Sequence, residues 1–303
     1  MSYNPDALLD RRRLKRRLRI WQGTTLFITL AGMLMILQSQ GELFHGDRIA
    51  RLHIEGIIVR DNARNQTLAE LARDSSIQAV IVHIDSPGGS VVGGEDLYNG
   101  LRDIAAQKPI AAVMGTVATS AAYMTSIAAD RVWAREGTVT GSIGVILQSA
   151  NVTELLNRIG VEPVTIKSSE LKGSPSPLEP LTEGAREATQ DVVQDLYSFF
   201  VEIVLARRPL DADRVRQLAD GRVFSGRQAV ANGLIDAIGV EKDAVSWLTS
   251  ERGIPTGLPI QTVAERHKDK GLLKRLVGLS GKSLFPNALT LDGLVSLWQP
   301  AAL

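Results

Sequence analysis

The sequence predicts an α/β fold, in which parallel strands are joined by crossover helices, preceded by one N-terminal transmembrane helix. Two observations support this prediction. Apolar strand-like runs alternate with helical patterns from residue 49 to about residue 145, which is typical of a parallel sheet. Before them, residues 20–41 form an uncharged run of 22 residues. As a helix, this run is long enough to cross about 30 Å of hydrocarbon.

The flanking charges predict the orientation of the transmembrane helix. Residues 1–19 form a basic tail with a net charge of +5, which leaves −4 on the rest of a chain whose total is +1. A basic tail before the apolar run predicts a cytoplasmic N-terminus, with residues 42–303 on the periplasmic side of the inner membrane. No convincing small-residue cleavage site follows the run, which favours a retained single-pass anchor over a removed signal peptide. The mildly acidic body argues against nucleic-acid binding.

The composition excludes several kinds of site. The chain has no cysteine, so disulfides, thiolate metal sites and a cysteine nucleophile are excluded. It has four histidines, and none is three or four residues from another, the spacing of a helical metal pair. We therefore predict neither a metal nor another cofactor.

The elements of the body are predicted in chain order. Strands are expected at residues 49–59, 79–84, 109–114 and 131–134, with a further strand running out of the turn at 137–145. Helices are expected at residues 66–74, from after Ser90 to about residue 106, and at 121–129, 183–206 and 212–219. From residue 254 the chain is rich in Gly and Pro, with an amphipathic piece at 272–279. The predicted domains are a tail at 1–19, an anchor at 20–41, a main domain at 42–253, and a packing or partner-contacting tail at 254–303.

Two loops at the carboxyl ends of predicted strands, the usual place for a ligand site in such a sheet, carry the candidate chemistry. Ser120 lies where a strand meets a helix, among small residues, and backbone N–H groups there suit a developing oxyanion. An ordinary N-cap serine is the alternative. In the other loop, Gly88 and Gly89 let the backbone approach a ligand, as in an oxyanion hole or a phosphate site, or simply form a tight turn.

A nucleophilic serine needs a base, and the residues alone leave several open. His83 and Asp85 share one side of a predicted strand, as a catalytic triad would require, but a His in mid-strand is expected to be covered on both faces. Lysine serves as a base when burial lowers its pKa toward neutrality. Lys167 and Lys172 lie in one segment, and local sequence does not choose between them.

Ordered motifs from Ile49 to Glu251 resemble a known family. They are Asp85-Ser-Pro-Gly-Gly-Ser90, Ala118-Thr-Ser-Ala-Ala-Tyr123, Ala129-Asp130, Gly137-Thr-Val-Thr-Gly-Ser-Ile-Gly-Val145, Leu171-Lys-Gly-Ser-Pro175, Pro180-Leu-Thr182, Gly221-Arg-Val-Phe-Ser-Gly-Arg227 and Asn232-Gly-Leu-Ile-Asp236. This pattern resembles the signal peptide peptidase A family, also called protease IV, whose Clp/crotonase-like fold repeats a ββα unit. The N-terminal anchor resembles that of the half-length members.

The resemblance implies a Ser-Lys dyad. It makes Ser120 the nucleophile, Lys172 the general base, and the N–H groups of Gly89 and Ala121 the oxyanion donors. The chain departs from the family pattern in two places. The nucleophile is followed by two alanines where glycine is usual, and Leu171 replaces an aromatic residue or His.

The resemblance also implies an activity, a substrate class and a mode of assembly. The expected enzyme is a membrane-anchored serine endopeptidase that hydrolyses signal peptides left in the bilayer and similar apolar peptides. In half-length members, Ser and Lys of one site come from neighbouring subunits of a homo-oligomeric ring. Two alternatives share the fold: a crotonase-like acyl-CoA enzyme, which an exported location disfavours, and an inactive membrane scaffold, which the presence of both Ser120 and Lys172 disfavours.

Overall fold

The computed structural model describes residues 5–40, 46–263 and 295–297. The chain divides into two compact units, Met1–Gly46 and Asp47–Leu303. In the first unit, helix α1 spans Pro5–Gln40. Within it, the hydroxyls of Thr24, Thr25 and Thr29 donate to backbone carbonyl oxygens four residues earlier. These bonds satisfy the hydroxyl groups inside the helix. The predicted amphipathic piece at 272–279 lies outside the described residues.

Among the residues described, no helix is both long enough and apolar enough to cross a membrane.

The second unit contains the remaining elements. Its strands are β1 Arg48–Glu55, β2 Ile77–Ser86, β3 Gly88–Ser90, β4 Ile110–Thr119, β5 Arg131–Ala134, β6 Val139–Gly141, β7 Val223–Ser225, β8 Ala237–Ile238, β9 Ile260–Thr262 and β10 Val295–Leu297. Its helices are α2 Asn62–Arg73, α3 Val91–Ala105, α4 Ala121–Ser126, α5 Thr153–Arg158, α6 Glu183–Arg207, α7 Ala212–Leu218, α8 Gly226–Ala231 and α9 Glu241–Glu251.

Eight strands form one sheet whose centre is parallel, as predicted. The order β6-β4-β2-β1-β9 is parallel throughout, and β7 joins antiparallel beyond β6. Strand β4 forks the sheet: its first half, Ala111–Val113, pairs with β5, and its last residues, Val117–Thr119, pair with β6. β8 extends the β5 branch. The fork ends one residue before Ser120, so it sets the position of that residue.

The sheet is covered on both faces, which explains the continuous apolar run of β2. Val80, Val82 and Ile84 point into the larger core, to which α3 and α4 contribute. Ala79 and Ile81 point into a second core under α9. There the rings of Trp133 and Trp247 meet edge to face with their centroids 5.5 Å apart.

Several element boundaries differ from the predictions. Strand β1 ends at Glu55, four residues before its predicted end, and β4 continues to Thr119, five residues beyond its own. Helix α2 begins at Asn62, four residues early, because the Asp61 carboxylate accepts the N–H of Ala63 and caps the helix. Helix α4 ends at Ser126, three residues before the predicted end. The predicted tail from residue 254 begins within the fold, since Ile254 is buried and β9 pairs with β1.

An ion pair fixes the segment between α6 and β8 to the sheet. Both guanidinium Nη atoms of Arg208 donate to the carboxylate of Asp236, at 3.2 and 3.0 Å, and Nε donates to the carbonyl of Gly233. Only 6 % of the Arg208 side chain is exposed. Nearby, the buried hydroxyl of Tyr123 donates to the carbonyl of Leu234, and burial raises the pKa of this phenol.

Glu241 ties the first turn of α9 to strands β1 and β2. Its carboxylate accepts hydrogen bonds from Arg51 and contacts Nε2 of His83 at 2.5 Å. The hydrogen bond from Arg51, aided by His83, holds the pKa of Glu241 below its usual range against the opposing effect of burial. A carboxyl whose pKa is depressed stabilises the fold above its unfolded pKa and loses that contribution as the pH falls through the folded value.

Glu241→Gln is therefore expected to cost about 1–2 kcal/mol of unfolding free energy at pH 7. The difference from wild type should shrink below about pH 4, where the unfolded carboxyl takes up protons, and vanish below the folded pKa. Urea denaturation from pH 3 to 8 measures it. Glu154 pairs with Arg158, and these side chains are 80 and 74 % exposed. Glu154→Gln is therefore the control and should change the unfolding free energy little. A Glu241→Gln deficit that does not change with pH would contradict the assignment.

Candidate active site

Ser120 forms a strained corner between β4 and α4. Its backbone adopts φ 59° and ψ −122°, a left-handed conformation that residues with a side chain rarely occupy. The corner is held on both sides: the Ser120 N–H donates to the carbonyl of Gly141 at 2.8 Å, and its own carbonyl accepts from Met124 at 3.0 Å. Ser120 is 1 % exposed. Strain of this kind persists where the surroundings fix it, often at an active site.

The structure excludes the ordinary capping role for Ser120. The residue lies at the N-cap position of α4, yet its side chain makes no capping hydrogen bond. The helix it precedes has only six residues. The hydroxyl of Ser120 therefore does not cap the first backbone N–H groups of α4.

The glycine turn lies beside this corner. Thr119 Oγ1 donates to the carbonyl of Pro87 at 3.0 Å, which joins the residue before Ser120 to the turn between β2 and β3. Within the turn, the Gly88 N–H donates to Ser86 Oγ at 3.1 Å. Gly88 has a φ of 103°, a conformation that favours glycine. The structure thus brings Ser120, Ala121 and Gly89 into one region.

Only glycine fits at position 89. Ile58 pairs alongside it, donating its N–H to the carbonyl of Gly88 and accepting from the N–H of Ser90, both at 2.8 Å. A Cβ at position 89 would lie 1.7 Å from the Ile58 carbonyl oxygen. Close approach of a second backbone strand therefore fixes the position of the Gly89 amide.

Two threonines position the corner and were not identified from the sequence. Thr140 Oγ1 donates to the carbonyl of Ala118, and Thr138 Oγ1 donates to that of Gly115, both at 2.7 Å. Both hydroxyls therefore bind β4 just before Ser120. Their motif, at residues 137–145, was recognised only as part of the family pattern, and nothing in its spacing indicated these contacts.

The two candidate lysines have different surroundings. The ammonium of Lys167 forms an ion pair with Glu179, and together with a hydrogen bond from Thr165 it holds the pKa of that carboxyl below its usual range. Lys172 is exposed and lies in a turn, where its own N–H donates to the carbonyl of Ser169. Lys172 is thus not part of the buried group around Ser120 in a single chain.

A triad through His83 is excluded. His83 contacts Glu241 and stacks on His53, with ring centroids 5.2 Å apart. Successive side chains of β2 point to opposite faces of the sheet. Val82 and Ile84 face the core to which α4 contributes, so His83 lies on the other face, under α9. The expectation that His83 would be covered on both faces is wrong in detail, because 27 % of its side chain is exposed. Asp85 instead accepts the N–H of Val117.

A groove of about 280 Å³ lies in the same part of the chain as Gly141, whose carbonyl accepts the Ser120 N–H. Ile143, two residues after Gly141, is the first residue in its wall. Ile143, Val145, Ile146, Val193 and Tyr197 contribute apolar side chains to its walls. Within the described part of the chain, no three His, Asp or Glu residues are placed to hold a metal ion. Ser120, Ala121 and Gly89 are not among the residues that line this groove.

Replacing Ser120 with glycine is expected to stabilise the fold relative to Ser120→Ala by about 1–2 kcal/mol. Glycine adopts a φ of 59° without the steric cost that alanine retains. Urea denaturation of the two variants, which both lack the hydroxyl, measures the difference. Equal stability of the two would show that the corner is not strained.

Comparisons with known proteins find similar chains among peptidases. The model of peptidase family S49 matches residues 102–254, and that of Clp protease matches residues 48–140. A Synechocystis protein named as a predicted protease is 34 % identical over 234 residues, 76 % of this chain and 83 % of its own. An Enterococcus faecium protein named as a predicted signal peptide peptidase SppA is 32 % identical, over 71 % of this chain and 66 % of its own. A variant of ClpP1 from Listeria monocytogenes is 16 % identical, with a TM-score of 0.44, over 64 % of this chain and 94 % of its own.

Proposed function

The chain belongs to peptidase family S49, the signal peptide peptidase A family, and is a serine peptidase with a mixed α/β, Clp-like domain, and on that premise we propose that Ser120 is its nucleophile and Lys172 its general base. The observation that carries the proposal is the strained, buried corner at Ser120 beside the glycine turn. A serine fixed in such a conformation, without a capping bond, is suited to attack a carbonyl held by the neighbouring amides.

The proposed reaction is acyl transfer. Neutral Lys172 removes the Ser120 proton, and the oxygen attacks the peptide carbonyl, whose oxyanion is held by the N–H groups of Gly89 and Ala121. The tetrahedral intermediate collapses, the C–N bond breaks, and the Lys172 ammonium protonates the leaving amine. Lys172, neutral again, then deprotonates a water that hydrolyses the acyl-enzyme and restores Ser120.

The contacts of Lys167 support the choice of Lys172. The side-chain nitrogen of Lys167 is already bound to the carboxylate of Glu179, which holds it in a contact with another residue of the same segment. Lys172 is exposed in the single chain. Lys172 would act as a base once a surface covers it, because burial lowers the pKa of a lysine.

A second copy of this chain is the proposed covering surface. Residues 145–182, which include Lys172, expose ten large apolar side chains, among them Val164 at 83 % and Ile166 at 96 %. Helix α5, in this segment, has no buried residue. Exposed apolar surface of this extent marks an interaction site. We place Ser120 of one subunit and Lys172 of its neighbour in one shared site of a homo-oligomeric ring.

The proposed substrates are apolar peptides in extended form, including signal peptides left in the membrane. The groove lined by Ile143, Val145 and Tyr197 and the exposed apolar residues of the segment that contains Lys172 support this class. We propose that residues 20–41 anchor the enzyme in the inner membrane, with the N-terminus cytoplasmic and residues 42–303 periplasmic. The uncharged run after an arginine cluster supports the anchor and its orientation.

Labelling with a serine-reactive fluorophosphonate tests the dyad. Wild type should be labelled and should hydrolyse an apolar fluorogenic peptide, whereas Ser120→Ala should do neither. Lys172→Ala should lose activity by about 10³-fold or more, and Lys167→Ala, the matched control, should stay within about threefold of wild type. Labelling of Ser120→Ala at another serine, or a larger loss in Lys167→Ala than in Lys172→Ala, would refute the assignment.

Complementation tests the shared site. Ser120→Ala and Lys172→Ala chains, each inactive alone, should regain activity when they are co-expressed, since some interfaces then combine an intact serine with an intact lysine. Sedimentation of the mixture checks that the chains have assembled. Mixed assemblies without activity would show that each chain supplies its own lysine.

A further inference from the structure

The first turn of helix α3 contacts both segments that supply the candidate oxyanion donors. Gly89 lies two residues before the helix, and Ser90 caps the helix by accepting the N–H of Gly93 at 3.2 Å. In the same turn, Gly94 faces Ala121, the residue with the second donor N–H. Gly93 and Gly94 are both buried. The start of α3 is therefore placed to set the position of both donors.

Two adjacent glycines inside a helix need a packing reason. Glycine is among the least favourable residues in a helix interior, because it loses the most backbone entropy on folding. A Cβ at position 93 would lie 2.8 Å from the carbonyl carbon of Val59, which follows the residue that bridges to Gly89. A Cβ at position 94 would lie 2.9 Å from the Cβ of Ala121. The absence of both side chains lets α3 approach a segment that fixes one donor and a segment that carries the other.

Ala121 is one of the places where this chain departs from the family pattern, which usually has glycine after the nucleophile. Its methyl group is fully buried and lies against Gly94. Carbon atoms in van der Waals contact are about 3.5–4.0 Å apart, so a methyl group at position 94 would require a displacement of about 0.6–1.1 Å. The Ala121 methyl is one bond from the backbone, so this displacement would also move the Ala121 amide.

We propose that Gly94 is a positioning residue of the peptidase, which leaves room for the Ala121 methyl group and so holds the Ala121 amide where it can bind the oxyanion. This inference rests on the proposed role of that amide as a donor. A misplacement of about 1 Å can lower a rate about 10²-fold. Gly94→Ala should therefore lower kcat about 30-fold or more. KM should stay within about threefold of wild type, because the oxyanion forms only after the substrate has bound.

A second background separates this contact from a general effect on folding. In chains that carry Ala121→Gly, no methyl group opposes the new one, so Gly94→Ala should lower kcat by less than about threefold relative to Ala121→Gly alone. Gly93→Ala displaces a different backbone segment, so its effect on kcat should be the same with and without Ala121→Gly. Gly100→Ala, on the same helix, meets the Cδ1 end of the flexible Leu68 side chain and should keep wild-type kcat.

Urea unfolding of the same full-length variants measures the contact without the chemistry. Gly94→Ala should lower the unfolding midpoint more in the wild-type chain than in the Ala121→Gly background. Equal effects of Gly94→Ala in the two backgrounds, on the midpoint or on kcat, would overturn the inference and leave the Ser120 assignment standing. Failure of Gly94→Ala to fold in both backgrounds would also overturn it. Midpoints that are coupled, in chains that neither hydrolyse the peptide nor react with the fluorophosphonate, would refute the proposed function and the positioning role with it.

Discussion

Arg208→Met is expected to lower the unfolding free energy by about 2–3 kcal/mol, because Arg208 is the buried partner of the ion pair and Asp236, at 29 % exposure, loses charged hydrogen bonds. The substitution leaves Asp236 without the two guanidinium donors at 3.2 and 3.0 Å, and the Gly233 carbonyl loses its bond from Nε. Methionine fills part of the same volume, so the loss of charge and hydrogen bonds, rather than a large cavity, dominates the cost. Urea denaturation at pH 7 measures the change.

An exposed ion pair in the same chain provides the matched control. Arg222 pairs with Asp220, and their side chains are 63 and 41 % exposed. Water already solvates both groups, so Arg222→Met should leave the unfolding free energy close to that of wild type. If the two substitutions lower the unfolding free energy by the same amount, burial does not explain how much the Arg208–Asp236 pair contributes to stability.

Gly89→Ala is expected to lower kcat/KM by about 10²-fold or more, with most of the loss in kcat. The added Cβ would meet the Ile58 carbonyl oxygen at 1.7 Å, so the backbone must move and take the Gly89 amide with it. Loss of one oxyanion donor costs about 10²–10³ in kcat. Peptide hydrolysis, normalised to folded protein from the circular dichroism melt, measures the effect.

Gly137→Ala is the control for this experiment. No heavy atom lies within 4 Å of the position that its Cβ would take, and its φ lies outside the left-handed region. It should keep wild-type kinetics. Wild-type kcat in Gly89→Ala, with fluorophosphonate labelling at the normal rate, would remove Gly89 from the proposed oxyanion hole.

The sequence predicted the elements whose side chains repeat over many residues. β2 was recognised from its β-branched run, and β5 and helix α6 were placed to within one residue. The two- and three-residue strands β8 and β9 were missed, because elements so short show no periodic pattern. Their pairing depends on β5 and β1, which lie far away in the sequence.

For the candidate site, local sequence identified Ser120 and the glycine turn but not what fixes them. The left-handed backbone at Ser120 and the approach of Ile58 to Gly89 are long-range consequences of the fold. Lys172 was chosen over Lys167 by the family resemblance alone. The ion pair of Lys167 with Glu179 adds a physical reason, and the contact of His83 with Glu241 removes the competing base.

The left-handed backbone at Ser120 has an evolutionary consequence. In a lineage that no longer needed hydrolysis, drift to glycine at this position would relieve steric strain and would meet no opposing selection. A serine there, maintained against that drift, is a sign of continued catalytic use. Among relatives with this corner, glycine in place of Ser120 should therefore mark proteins that have become scaffolds.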